Sequence, residues 1–169
     1  MEIFKNKKIL ITGHTGFKGS WLSIWLTHLG AKVVGVSNNI VGSPSNFLVS
    51  EISKVVDDYR FDIRDEGAIK SLIERVQPDF VFHLAAQALV RPSYENPLET
   101  MSINAIGSAN VLDALRGLDK KVVAVMITSD KAYDNVEWVW GYRESDRLGG
   151  KDPYSSSKGM AELAIRCYI

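Results

Sequence analysis

Three glycines at three-residue intervals, Gly13, Gly16 and Gly19 in "ITGHTGFKGSW", stand between an apolar run, "KKILIT" (7–12), and an amphipathic stretch that ends at Gly30. A glycine closing a strand permits a tight turn, a second lets backbone approach an anion, and a third lets the next helix lie close to the strand. The unpaired N–H groups of that helix's first turn, at the positive end of its dipole, favour a phosphate. The spacing alone is a weak signal; the strand before it and the helix after it are what make a dinucleotide site the reading. Lys18 sits on the same turn, either near a phosphate or solvated.

The same alternation continues along the chain. "AKVVGVS" (31–37), "DDYRFDI" (57–63), "DFVFHLA" (79–85) and "KKVVAVMIT" (120–128) read as four more strands. Between them, helical spacing recurs. Phe17, Trp21 and Trp25 form one row, with Leu22, Leu26 and Leu29 beside it. Ile69, Leu72, Ile73 and Val76 share a face closed by Pro78; one long helix is predicted over 98–117, and a last one opens at "DPYSSSKG". Residues 38–50 form a Gly/Pro/Ser/Asn-rich loop. This order predicts an α/β fold, a Rossmann-like doubly wound parallel sheet with right-handed crossovers, in a single domain over residues 1–169. Ligands of such sheets gather beyond the carboxyl ends of the strands.

Composition matters mainly for what it excludes. Twenty Lys and Arg balance twenty Asp and Glu, so no net field draws the chain to nucleic acid or an anionic membrane. No apolar run approaches the roughly 18–20 residues of a membrane span. Cys167 has no partner for an internal disulfide, and no Cys/His cluster has metal-ligand spacing. The expectation is a soluble cytoplasmic protein without metal.

Candidate cofactor contacts follow from the predicted strand ends. Thr15 and Phe17 lie in the glycine loop itself. Where a ribose-binding carboxylate is usual after the second strand, the chain has "VSNN", so Asn38 or Asn39 is a neutral substitute. No Lys or Arg lies between Val33 and Ile52 to meet a 2′-phosphate, which favours NAD over NADP. Asp62 is either an adenine contact or a cap or loop carboxylate, and Ile63 follows it. Leu84, Ala85 and Ala86 close the fourth strand, the two alanines small enough to let a cofactor pass over the backbone.

"YSSSK" places Tyr154 and Lys158 four residues apart on one helix face. An ammonium beside a phenol stabilises the phenolate and so makes a usable base. Such spacing is common by chance; its combination with the glycine loop is not. Together "TGHTGFKG", "HLAAQ", "SINAIGSANVLDA" and "YSSSK" resemble the extended short-chain dehydrogenase/reductases, nucleotide-sugar branch. The resemblance implies NAD as cofactor, Tyr154 as catalytic base, Lys158 as its partner, and Ser129 as a hydroxyl sharing the proton. Within the branch, "TSDKAYDN", "EWVWGYRESD" and "DPYSSSKG" are similar to the CDP-glucose 4,6-dehydratases.

A 4,6-dehydratase needs an acid and a base on adjacent carbons, and Asp130 and Lys131 are two consecutive ionisable groups at a strand's carboxyl end. The resemblance implies Asp130 as the acid for the departing hydroxyl and Lys131 as proton acceptor. Gln87 and Arg91 are candidate substrate contacts, Arg91 alternatively capping a loop. Trp138, Trp140 and Tyr142 form either a lid or a packed hairpin. The likeness covers only the N-terminal half of family members. The chain is therefore expected to bind NAD weakly, to turn over CDP-glucose slowly or not at all alone, and to form a homodimer through its last two helical segments. A nucleotide-sugar epimerase or reductase, and a non-catalytic NAD-binding module, are the alternatives.

Overall fold

The computed structural model describes residues 2–169. Five strands, β1 (Lys8–Thr12), β2 (Lys32–Val36), β3 (Asp57–Tyr59), β4 (Phe80–His83) and β5 (Val123–Met126), form one parallel sheet in the order β3-β2-β1-β4-β5. The helices are α1 (Phe17–His28), α2 (Asn46–Val49), α3 (Glu66–Val76), α4 (Val90–Glu95), α5 (Pro97–Met101), α6 (Gly107–Arg116) and α7 (Pro153–Arg166). The chain runs outward from β1 to β3, then returns to β1's other side with β4. That reversal opens a crevice between the carboxyl ends of β1 and β4, the usual ligand site of such sheets.

Successive strand residues face opposite sides, so two cores form. Leu10, Val34, Val36 and Val81 meet Ile69, Leu72, Ile73 and Val76 of α3 and Val111 and Ala114 of α6. On the other side Ile9, Ile11 and Val33 meet Leu26 of α1, Phe47 of α2, Ile52 and Val56. Burial on both faces explains why β1 reads as a continuous apolar run.

The structure refines the sequence reading at several elements. The aromatic row of α1 does not face the sheet: Phe17, Trp21 and Trp25 are 75%, 55% and 48% exposed. The buried side is instead Gly19, Ser20, Ser23 and Leu26. A Cβ on Gly19 would lie 2.2 Å from the Gly13 carbonyl oxygen, so the helix packs too closely for large side chains there. The single helix expected over 98–117 is α5, a π-helical turn (Ser102–Ile106) and α6. The third strand stops at Tyr59 rather than Ile63, and the 38–50 loop contains α2.

β5 is an edge strand with little cover. Val123 and Val125 pair with Phe80 and Phe82 and share their side of the sheet, where α1 does not reach; they are 53% and 36% exposed. On the other side a groove of about 590 Å³ runs between α6, β5 and the end of α7, lined by Leu112, Leu115, Met126, Ile165 and Tyr168.

A buried polar relay ties β1, β4 and α6 together beneath the crevice. Ser108 donates to the Asn104 carbonyl (2.7 Å), which leaves its oxygen to accept from Nε2 of His83 (3.0 Å). Nδ1 of His83 then accepts from the Thr12 hydroxyl (2.8 Å), and Thr12 accepts the Ala85 N–H (3.2 Å). These proton positions are assigned from the partners' chemistry. Full burial, with Lys158 nearby, pushes the His83 pKa down from 6.5 to about 3. Because the folded value is the lower one, between pH 6.5 and about 3 the unfolded chain binds a proton that the folded chain refuses. Stability therefore falls as pH drops through that window, by at most about 1.4 kcal/mol per pH unit from this group. Urea midpoints measured from pH 7 to 4 should fall more steeply for the wild type than for His83→Gln. Parallel curves would refute the neutral buried imidazole.

Candidate active site

The glycine loop folds as its composition demands. Gly13 has φ +77°, in the region that favours glycine, and its N–H bonds the Val36 carbonyl (2.8 Å). A Cβ there would lie 2.7 Å from the Ala85 nitrogen, and one on Gly16 3.3 Å from the Gly13 carbonyl oxygen. Gly16 is the N-cap of α1 and offers no capping side chain, so the first-turn N–H groups face the crevice without a side-chain acceptor. This is a cradle that side chains would fill, over a helix N-terminus, and it fits a dinucleotide pyrophosphate.

The cofactor candidates divide into two groups. Thr15 is buried and crosses to the end of β2, its hydroxyl donating to the Asn39 carbonyl (2.6 Å) and its N–H to Ser37 Oγ (3.4 Å). Asn38 and Asn39 are exposed at that corner, and Ala85 and Ala86 line the β4 side beside half-buried Leu84. Asp62 is otherwise engaged. Arg64 grips both its oxygens (2.6–3.1 Å), and this charged hydrogen bonding outweighs burial and holds the carboxyl below the usual range. Asp65, not Asp62, caps α3. Ile63 is core: a Cβ on Gly107 would lie 2.6 Å from its Cδ1.

α7 carries the predicted pair on its first two turns. Asp152 caps it, accepting from the Ser155 N–H (3.0 Å) and hydroxyl (2.6 Å), and Pro153 supplies the preset first-turn φ. Tyr154 is half-buried in the first turn, and Lys158 Nζ lies 6.0 Å from its ring centroid. Lys158 is only 6% exposed and makes no hydrogen bond or ion pair with the described residues. Its pKa is lowered by burial and by Lys18, against the pull of Glu162. That coupling to Lys18 places the first turn of α1 and the middle of α7 within electrostatic reach. An ammonium held dry beside a phenol is suited to stabilising phenolate and to binding a ribose hydroxyl.

Ser129, Asp130 and Lys131 follow β5 in a 3-10 turn (Asp130–Ala132) against which α7 packs. Ser129 Oγ donates to Asp130 Oδ1 (3.0 Å) and accepts the Lys131 N–H (3.2 Å). Asp130 and Lys131 are exposed and line a cleft of about 680 Å³ with Ser155 of α7, Asp152 and Tyr142. The segment after them is closed by one antiparallel bridge, Tyr133 to Leu148, with Tyr142 stacked on Tyr133 (5.0 Å). Trp138 and Trp140 stay exposed at 46% and 68%. The loop is thus a wall of the cleft rather than a packed hairpin.

Two candidate substrate contacts lie elsewhere. The Gln87 amide is occupied locally, by Leu89 N–H (2.6 Å), the Leu89 carbonyl (2.9 Å) and Thr100 (3.0 Å). Arg91 points to solvent, 93% exposed and 3.7 Å from Glu95. Its position in a short exposed helix explains why the loop motif misled.

Asn104 was missed in the sequence. It is 1% exposed in the π-helical turn; its Oδ1 accepts the Gln87 N–H (2.8 Å), and its Nδ2 donates to the Gln87 carbonyl (3.0 Å) and to Ser157 Oγ (2.8 Å). It thereby locks the β4 loop to α7. An amide inside an apolar helical pattern was the available signal.

Known proteins share this arrangement. The solved UDP-glucose 4-epimerase of Thermotoga maritima superposes with a TM-score of 0.81 at 28% identity, covering 95% of this chain and 50% of the epimerase. A UDP-glucose 4-epimerase of Brucella ovis, solved in complex with NAD, gives 0.81 at 25% identity, covering 96% and 47%. The CDP-glucose 4,6-dehydratase of Salmonella typhimurium is 47% identical over 99% of this chain and 46% of its own length. The chain thus spans about half the length of the relatives it matches. Since the match runs from Leu10 in β1 through the glycine crevice to the end of α7, over residues 10–169, the chain belongs to the GDP-mannose 4,6 dehydratase family.

Proposed function

We propose that this chain is the NAD-binding and catalytic portion of a nucleotide-sugar 4,6-dehydratase, acting on CDP-glucose to give CDP-4-keto-6-deoxyglucose. The observation that carries the proposal is the pairing of an acid and an amine, Asp130 and Lys131, on the wall of a cleft that begins at the first turn of α7. A 4-epimerase has no elimination to catalyse and no need for an acid at 130. The 47% identity to a CDP-glucose 4,6-dehydratase supports the choice of sugar nucleotide.

NAD, when bound, accepts hydride from carbon 4 and returns it at carbon 6. Tyr154 takes the proton of the carbon-4 hydroxyl, with Ser129 beside it and the Lys158 ammonium stabilising the phenolate. The new carbonyl acidifies the carbon-5 proton, which passes to Lys131, while Asp130 gives its proton to the carbon-6 hydroxyl and water leaves; Lys131 then returns its proton to carbon 5 as carbon 6 is reduced. Asp130 must therefore begin protonated and Lys131 neutral. Here both are exposed, and Ser129 donates to the Asp130 carboxylate (3.0 Å). The required desolvation is assigned to the bound substrate.

Incubation with NAD and CDP-glucose should give a slow rise in the alkaline ultraviolet absorbance of a 4-keto-6-deoxy sugar. Asp130→Asn should cut that rate by about 10²–10⁴-fold. An epimerised sugar instead, or unchanged turnover in Asp130→Asn, would overturn the assignment.

We further propose a homodimer. α5 and α7 pack together and expose Leu98 (80%), Met160 (41%) and Leu163 (54%), with Ile106 (55%) between α5 and α6. Sedimentation should show a dimer that Met160→Glu with Leu163→Glu dissociates; a monomer in both samples would refute this interface.

A further inference from the structure

The turn after β2 lacks a ribose-binding carboxylate, yet the fold delivers one by another route. His14, between Gly13 and Thr15, is fully buried, with its ring lying on Gly35 of β2, where a Cβ would sit 2.3 Å from the ring carbons. Its Nε2 is 2.9 Å from Asp58 Oδ1 on β3, and its Nδ1 is 3.1 Å from Ser37 Oγ, the first residue beyond β2. Burial lowers the His14 pKa against the pull of Asp58, so the ring is neutral at pH 7 and carries one proton. A carboxylate only accepts, so that proton lies on Nε2. Nδ1 is then an acceptor, and the Ser37 hydroxyl must donate to it. One lone pair of Ser37 accepts the Thr15 N–H (3.4 Å), and the other remains.

We propose that Asp58, acting through His14, fixes Ser37 as an obligate hydrogen-bond acceptor for the 2′-hydroxyl of the adenosine ribose, replacing the usual strand-end carboxylate and selecting NAD over NADP. A 2′-phosphate presents acceptors to an oxygen that has no proton to give. Arg60, the cation that reaches this turn, is already committed: it bonds Asp58 Oδ2 (2.7 Å) and the Asn39 carbonyl (3.5 Å) and stacks on Phe47 (4.9 Å). The same carboxylate thus orients the acceptor and restrains the competing cation. Ser37 is the contact residue; His14 and Asp58 are positioning residues.

The proposal rests on NAD binding in the glycine crevice, and isothermal titration with NAD, 2′-deoxy-NAD and NADP tests the two separately. The wild type should bind NAD about tenfold more tightly than its 2′-deoxy analogue, the size of one hydrogen bond. Ser37→Ala should bind the two equally. Asp58→Asn, which frees Arg60, should narrow the NAD-over-NADP preference about tenfold, and circular dichroism should show both variants folded. Equal binding of NAD and 2′-deoxy-NAD by the wild type overturns the proposal whether or not the variants fold, as does an unchanged ratio in folded Ser37→Ala. An unchanged NADP preference in folded Asp58→Asn removes the relay. Failure of the folded wild type to bind any of the three would instead sink the cofactor site itself.

Discussion

The close approach of backbone to backbone at the glycine loop sets the terms for everything around it. With Cβ positions on Gly13 and Gly19 only 2.7 and 2.2 Å from neighbouring main chain, the loop can seat itself on the ends of β1 and β4 solely because those atoms are missing. That seating aims the N-terminus of α1 across the crevice and brings Lys18 within electrostatic reach of Lys158. It also dictates the inner face of α1, where serines and glycine lie against the sheet and the large aromatics are turned outward. One packing distance fixes both an anion site and a surface.

Polar groups then hold the parts in register where apolar packing alone would leave slack. The Ala85–Thr12–His83–Ser108–Asn104 relay runs under the crevice floor, and Asn104 extends it through Ser157 to α7. Each member is satisfied, which is the condition for a buried polar network to rigidify rather than weaken a core. The π-helical turn supplies an extra residue at the place where Asn104 must reach two elements at once, and such turns commonly mark functional positions. Ser157 in turn donates to the Tyr154 carbonyl (2.6 Å), so the relay reaches the backbone of the α7 tyrosine itself.

What the sequence made legible were features with a short-range physical signature. Strand-glycine-helix order, the Tyr154–Lys158 interval and the acid–amine pair after β5 are each contained in a dozen residues. The outward turn of Trp21 and Trp25 was illegible because periodicity reports a face, and only the proximity of Gly19 to Gly13 tells which face is inside. The partners of Gln87 were illegible for a related reason: its motif is local, but besides Leu89 its amide reaches Thr100, supplied by a later helix. The partners of His14 lie 23 and 44 residues away, and no spacing rule connects a glycine-loop histidine to an aspartate on β3.

The chemistry proposed for Asp130 and Lys131 conflicts with their setting in this half of the fold, and the conflict is informative. Adjacent opposite charges in water stabilise each other's ionised forms, the reverse of what elimination requires. Ser129 donates to the Asp130 carboxylate and accepts the Lys131 N–H, so both residues are also tied to one hydroxyl. Removing water from the cleft reverses the balance, because desolvation penalises both charges and a proton moving from the ammonium to the carboxylate relieves both at once. The acid and the base that the reaction needs are the neutral form of the same pair. On the proposed reading, covering the cleft would do more than exclude solvent: it would set the protonation state that elimination needs.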